Sequence, residues 1–283
     1  MTWGIDVSKH QGKIDWQKVK AAGVEFAMIR AGYGMYANQE DAFFRANMIG
    51  ARAAGIPVGV YWYSYAADLS EALREAETCL QIIQPYKEQI LLPVAYDWED
   101  KSQGAMTADT TAACCKAFLD RMQAAGYRPM LYSFSSWLQS RLQDARLDGI
   151  PRWVAHYGVE KPVCSKPYVM WQHSSKGRVD GINGSVDLNI GYDGLFPMAG
   201  KTGWVQASGV WYWYEDGKPV KNQWVSDGGF WYRIGPDGKM LTGLQEVDGK
   251  ACCFNCSRGT AGGLYVPVGA LIITNEKGEI LNG

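Results

Sequence analysis

No stretch of the chain approaches the roughly 20 consecutive apolar residues a helix needs to cross a bilayer, so membrane insertion is not expected. An excess of one charge is missing too. The 28 Lys and Arg against 29 Asp and Glu leave a net charge of −1 over 283 residues. With no basic stripe, nucleic acid is not an expected partner. Histidine is scarce: His10, His156 and His173 are the only three. All lie far upstream of Cys252, Cys253 and Cys256, which have no fourth Cys to complete a zinc site. No metal and no cofactor is expected. A disulfide framework is lacking as well. Seven Cys is an odd count, and Cys114-Cys115 and Cys252-Cys253 are adjacent pairs, which suits a reducing compartment. The start, Met1 to Ser8, has neither the basic nor the apolar region of a secretory signal. Apolar residues at 47% and charged residues at 20% nevertheless support a sizeable core. Aromatics are the excess, with 12 Trp and 16 Tyr. Flat rings serve sugar or cation recognition, or fill a core.

Two regions differ in pattern. Residues 1–197 alternate between apolar strand-like runs and helical runs. Strands are predicted over 2–8, 25–31, 57–65, 91–99 and 128–134, with helices over 15–22, 39–54, 69–88, 107–125 and 135–143. Gly23, Gly55 and Gly126 follow helical runs, where a glycine takes the left-handed backbone. Three further strands, 152–157, 167–173 and 186–190, have little helix between them. Strand–helix alternation implies parallel strands with helices outside, and eight strands suffice to close a barrel. The fold class expected is α/β: an irregular (β/α)5β3 barrel, then a small all-β repeat domain. The boundary is placed near 197–202, giving domains 1–197 and 198–283.

The second region repeats. Gly203-Trp204-Val205 recurs as Gln223-Trp224-Val225, and Trp211-Tyr212 as Trp231-Tyr232, each 20 residues on. Gly243-Leu244 marks a third, eroded copy. Each unit reads as a hairpin with an Asp-Gly turn, too small to bury a face alone, so stacking is expected.

The chemistry is expected in Ala95-Tyr-Asp97-Trp-Glu99-Asp100. On one strand, residues i and i+2 share a face, with Cα atoms roughly 6–7 Å apart, so Asp97 and Glu99 point one way and Tyr96 and Trp98 the other. Asp100 reads as a loop or cap residue. Barrels of this type gather their sites at the C-terminal ends of the strands. Asp6 on strand one and Asp187 on strand eight are expected at matching ends, adjacent once the barrel closes. Crowded carboxylates raise one another's pKa and keep one protonated near neutral pH, as glycosidic cleavage requires. The cluster could instead hold Mg²⁺ or Ca²⁺. Sugar is favoured by the aromatics late in strands: Tyr61, Tyr63, Tyr132, Trp153, Tyr157 and Trp171, some of which must face outward. Gln172 and His173 add polar groups, His173 with an equal claim to a structural role.

Gly4-Ile-Asp6-Val-Ser8-Lys-His10-Gln11-Gly12, Tyr96-Asp97-Trp98-Glu99, Trp153-Val-Ala155-His-Tyr157, Trp171-Gln172 and Val186-Asp187-Leu-Asn189 resemble the glycoside hydrolase family 25 lysozymes, also called Chalaropsis-type or phage-type muramidases. The resemblance spans residues 2–192. It implies β-1,4 cleavage between N-acetylmuramic acid and N-acetylglucosamine in peptidoglycan. It makes Glu99 the general acid/base and Asp97 the residue that orients the 2-acetamido group or stabilises its charge, with Asp6 and Asp187 as outer acids. Tyr61, Tyr63, Tyr132, Trp153, Tyr157, Trp171 and Gln172 are the expected substrate contacts.

The second region resembles the cell-wall-binding repeats of choline-binding proteins, whose rings cage choline on teichoic acid through cation–π contact. Trp204, Trp211, Tyr212, Trp224, Trp231 and Tyr232 match, and about half are expected to be core instead. Ala251-Cys252 stands where a third Trp-Tyr would fall. Arg258–Gly263 is a glycine-rich insertion, with a strand pair expected around Asn275–Gly278. The expected partners are peptidoglycan strands and a wall polymer such as teichoic acid, with choline as one candidate ligand. The expected location is the bacterial cell wall, reached at lysis in an endolysin-like manner or by a signal outside this sequence. A glycosidase acting on chitin and a non-catalytic glycan-binding protein remain the alternatives.

Overall fold

The computed structural model describes residues 1–192, 194–195, 202–207, 210–215, 218–247, 249–255, 260–261 and 264–265. The chain divides into two compact units, Met1–Phe196 and Pro197–Gly283. Most of the expected linker, and the strand pair expected at Asn275–Gly278, lie outside the described residues.

In the first unit eight strands close a barrel in sequence order. They are β1 (Thr2–Val7), β2 (Phe26–Tyr33), β3 (Val58–Tyr63), β4 (Ile90–Asp97), β5 (Pro129–Phe134), β6 (Arg152–Ala155), β7 (Tyr168–Gly177) and β8 (Val186–Gly191). Neighbours from β1 to β7 pair in parallel, and β8 runs antiparallel to both β7 and β1. Helices α1 (Trp16–Ala21), α2 (Phe44–Ala53), α3 (Leu69–Ile83), α4 (Ala108–Ala124) and the short α5 (Ser135–Leu138) connect the first six strands. Gly23, Gly55 and Gly126 take φ of 92°, 66° and 83° just past α1, α2 and α4, as the sequence predicts.

The strands alternate between two cores. On β2, Ala27, Ile29 and Ala31 face the layer under the helices, while Phe26 and Met28 fill the barrel. Phe26 fits because Gly4, its partner on β1, has no side chain: a Cβ there would stand 2.4 Å from the Phe26 ring.

Three elements differ from expectation. Helix α3 stops at Ile83, and a 3-10 turn carries the chain over Gln84–Gln89. Pro85 accounts for this, since it lacks an N–H and its ring clashes with the preceding turn. Helix α2 starts at Phe44 rather than near 39, because the Asp41 carboxylate is committed to Arg30 and to the Lys9 and Phe43 amides. Helix α5 is one turn long; the Leu142 amide reaches back to the Trp137 carbonyl, a spacing wider than an α-helix uses.

The second unit holds three hairpins at the 20-residue spacing: β9 (Gly203–Ala207) with β10 (Val210–Glu215), β12 (Gln223–Asp227) with β13 (Phe230–Ile234), and β14 (Gly243–Val247) with β15 (Lys250–Phe254). The eroded copy therefore keeps the hairpin. β11 (Lys218–Pro219) extends the first, and β16 (Thr260–Ala261) pairs with β17 (Leu264–Tyr265). The Asp-Gly signals do not join β9 to β10 or β12 to β13; the first lies between Glu215 and Lys218, which pair across β10 and β11. In the second hairpin Gly228 and Gly229 make the turn, with φ of 56° and 84° as a type I′ turn requires. Asp237-Gly238 instead reverses the chain after β13, with the Lys239 amide donating to Asp237 Oδ1.

The hairpins stack through rings. Trp204 meets Tyr232 at 4.7 Å between centroids, and Trp224 meets Phe254 at 5.9 Å. Tyr232 is buried with Val225 and Ile234, so this expected ligand residue is core. Trp204 is drawn inward too, against Trp213, with its Nε1 donating to Asp227. Edge-to-face pairs of this kind contribute about 0.5–1.5 kcal/mol beyond burial. Tyr212 and Trp224 are half-buried, the latter with the Arg233 guanidinium over its ring at 5.7 Å. Trp211 is half-buried and Trp231 is 48% exposed.

Candidate active site

Seven parallel strands deliver their C-terminal ends to one mouth, where a cavity of 320 Å³ opens. Asp6, Asp97, Glu99 and Asp187 all line it. They arrive by different routes from those the sequence suggests. Strand β4 ends at Asp97, so Glu99 stands two residues past it, in the segment leading to α4. Extended backbone continues there, with the Trp98 amide bonded to the Tyr132 carbonyl and the Trp98 carbonyl held by Ser133 Oγ. Tyr96 and Trp98 accordingly face the helices. Asp187 reaches the mouth from the start of β8, not its end, because β8 runs backward. The same reversal sets Asp187 directly opposite Asp6 across the ladder. Asp100 caps the turn that follows, accepting from the Ser102 amide at 2.9 Å, and its other oxygen accepts from Tyr63 Oη at 3.1 Å.

A relay of amides and phenols fixes Asp6. Gln172 Nε2 and Asn189 Nδ2 both donate to Asp6 Oδ2 at 2.8 Å. Tyr132 and Tyr157 direct their hydroxyls to Gln172 Oε1, at 2.9 and 2.5 Å, so the amide nitrogen must face the acid. Trp153 Nε1 holds Asn189 Oδ1 at 2.8 Å in the same way. Tyr61 and Tyr63 line the opposite wall. Trp171 is a correction. It alternates with Gln172 on β7 and pairs with the outward-facing Val154, so its ring lies on the far side of the strand, where Nε1 donates to the His156 carbonyl. His173 lies beside it, 5.4 Å between ring centroids, and does not line the cavity.

Burial dominates the electrostatics. It pushes the Asp6 carboxyl well up, with the Asp187 charge adding to the effect. Burial raises Asp97 as well, helped by Glu99 and Asp6 and opposed by Arg30. Glu99 is pushed up to about 7, first by burial and then by Asp187 and Asp100, with the nearby Tyr132 hydroxyl acting against them. Asp187 is raised by burial. Asp97 Oδ1 and Glu99 Oε2 are buried and meet no hydrogen-bond partner among the described residues. Such atoms are costly unless a ligand supplies the donor.

Arg30 and Asn189 were not anticipated as site residues. Arg30 continues the inward series of Phe26 and Met28 on β2, and its Nε donates to the buried Asp41 at 2.8 Å. An arginine inside the apolar run Phe26–Ala31 is a signal the sequence already carries, since buried cations need partners.

An eight-stranded barrel with a carboxyl held near neutrality at its mouth is the setting of a glycosidase site. The profile of glycosyl hydrolases family 25 matches residues 5–182, and the chain belongs to that family. It is 31% identical to the autolytic lysozyme of Clostridium acetobutylicum over 193 residues, 68% of this chain and 56% of that protein. Lysozyme M1 of Streptomyces globisporus is 32% identical over 197 residues, 66% of each. Among solved structures, the modular autolysin LytC of Streptococcus pneumoniae in complex with a synthetic peptidoglycan ligand aligns with a TM-score of 0.60 at 32% identity. That alignment covers 68% of this chain and 46% of LytC. The chain thus matches little more than half of the clostridial relative and less than half of LytC.

Proposed function

We propose that the barrel hydrolyses peptidoglycan as an N-acetylmuramidase, cleaving the β-1,4 bond from N-acetylmuramic acid to N-acetylglucosamine. The reading is carried by the pairing of Glu99, protonated up to about pH 7, with the buried and unpartnered Asp97 Oδ1 beside it. Glu99 gives its proton to the glycosidic oxygen as the C1–O bond breaks. Its carboxylate then takes a proton from the water that completes hydrolysis. Asp97 accepts the N–H of the 2-acetamido group, the donor its bare oxygen needs. Asp6 and Asp187 are raised by burial and face each other across the ladder, and the Asp187 charge helps to raise Glu99. Tyr61, Tyr63, Tyr132, Trp153, Tyr157 and Gln172 shape the sugar site. The test is turbidity loss of purified peptidoglycan with mass spectrometry of the new ends. Reducing N-acetylmuramic acid ends are expected; N-acetylglucosamine ends, or no cleavage, would overturn the assignment.

The second unit, residues 198–283, holds the enzyme at a wall polymer. Its solvent-facing aromatic surface supports this role, with Trp231 and Trp211 the rings best placed for ligand. Residues 1–197 alone should keep hydrolysing soluble fragments while losing most activity on intact walls, because tethering raises local concentration only on an insoluble substrate. Trp231→Ala should reduce wall binding of a fluorescent fusion without unfolding the unit. Equal turnover on intact walls with and without 198–283 would remove the targeting role. Displacement by free choline tests teichoic acid choline as the ligand.

A further inference from the structure

A row of tyrosines continues outward from the cavity. Tyr63, in the cavity wall, lies 5.1 Å from Tyr65 between ring centroids. Tyr65 meets Tyr33 edge-on at 6.1 Å. Lys9 Nζ stands 5.6 Å over the Tyr33 ring. The row ends in solvent: Tyr65 is 48% exposed, and Lys9 is exposed.

The exposed groups stand on fixed backbone. The Tyr65 amide donates to Oε1 of the buried Glu75 at 2.8 Å. The Lys9 amide donates to Asp41 Oδ2 at 3.0 Å, the same oxygen that holds Arg30. The Arg30 guanidinium lies 5.9 Å from the same Tyr33 ring, but Asp41 neutralises it at 2.7 Å, whereas the Lys9 ammonium stays exposed. Among the described residues its ammonium makes no ion pair. A half-exposed ring suits the apolar face of a pyranose. A lysine held at a ring, its ammonium in no ion pair among the described residues, suits an anion.

We propose that Lys9, Tyr33 and Tyr65 form a subsite for a carboxylated sugar unit further along the glycan, its ring against Tyr65 and its carboxylate at the Lys9 ammonium. This rests on the peptidoglycan reading and deepens it. Muramic acid units carry a lactyl carboxylate, or a stem peptide with carboxylates of its own. N-acetylglucosamine polymers carry none. Lys9 then separates the two substrate classes by charge, and Tyr65 binds either.

The test measures binding, so it does not depend on turnover. The Glu99→Gln chain is titrated calorimetrically with three probes of equal length: peptide-free glycan fragments with free lactyl groups, the same fragments bearing stem peptides, and N-acetylglucosamine oligomers. Lys9→Met in that background should weaken the carboxylated fragments about 5-fold and leave the N-acetylglucosamine oligomer unchanged. About 0.5 M salt should erase the difference. Loss on the peptide-free fragment assigns the contact to the lactyl group; loss confined to the peptide-bearing fragment assigns it to the stem. Tyr65→Ala should weaken all three probes about 5-fold, and Tyr65→Phe should restore them. Equal effects of Lys9→Met on charged and uncharged probes, or no effect on either, would overturn the proposal. A wild-type chain that cleaves no peptidoglycan would overturn the catalytic reading and leave these affinities interpretable.

Discussion

Glu99→Gln will lower turnover on peptidoglycan by about 10²–10⁴-fold, the range a positioned proton donor contributes, and will make the protein more stable at neutral pH. The two effects share a cause. In the folded chain Glu99 keeps its proton to about pH 7, against an ordinary value of 4.5. Between those values the unfolded chain has released the proton and the folded chain has not. The stability linked to this group is therefore full below about pH 4.5 and is lost as pH rises through about 7, by at most on the order of 3 kcal/mol. Glutamine has no proton to lose. The variant should show a higher Tm than wild type at about pH 8 and a nearly equal Tm at about pH 4. A residue needed only for packing would lower Tm at both. Asp187→Asn supplies a second check. The Asp187 charge raises Glu99, so its removal should move the alkaline limb of the pH–rate profile to lower pH. An unmoved limb in Asp187→Asn, or near wild-type turnover in Glu99→Gln, would take the acid role from Glu99.

Most of the barrel is legible because both faces of its strands are buried and most helices carry a start or a stop signal. Thr107 and Asp68 cap α4 and α3 through their side chains, and glycines close α1, α2 and α4. What local pattern does not encode is direction. Nothing in Val186–Gly191 states that β8 runs backward, and only that reversal puts Asp187 opposite Asp6. Facing is lost where strands end early. Glu99 shares the cavity with Asp97 although it is past the strand, whereas Trp171, one residue from Gln172, turns away. In the hairpin unit the repeat reveals the period but not which ring of Trp231-Tyr232 is inside; pairing across β12 and β13 puts Tyr232 opposite Val225 and buries it. The role of Arg30 is hidden in the sequence because a lone cation in an apolar run gains meaning only from its partner, and Asp41 lies beyond the end of the strand.

Asp97→Asn should lower kcat on the order of 10²-fold and leave KM nearly unchanged. Asp97 is 4% exposed, and Oδ1 has no partner among the described residues. Burial, Glu99 and Asp6 make its charged form costly and push its carboxyl well up, and the Arg30 charge opposes them. A substrate that brings an N–H to Oδ1 relieves that cost. On the charge-stabilising role proposed for Asp97, the relief grows as the acetamido group takes on positive charge in the transition state, and so the contact should act on kcat. Asparagine keeps the shape and loses the charge. It also brings an NH₂ that can occupy the place of an acceptor, so the acetamido N–H meets a donor or a weaker neutral oxygen. The cycle that isolates this contact pairs the variant with a soluble substrate whose acetamido nitrogen is methylated. Wild type should lose most of its rate on the methylated substrate, while Asp97→Asn should lose little more than it already has, because both changes remove one interaction. Additive losses would mean that Asp97 and the acetamido N–H act separately, and a change confined to KM would reduce Asp97 to a binding residue.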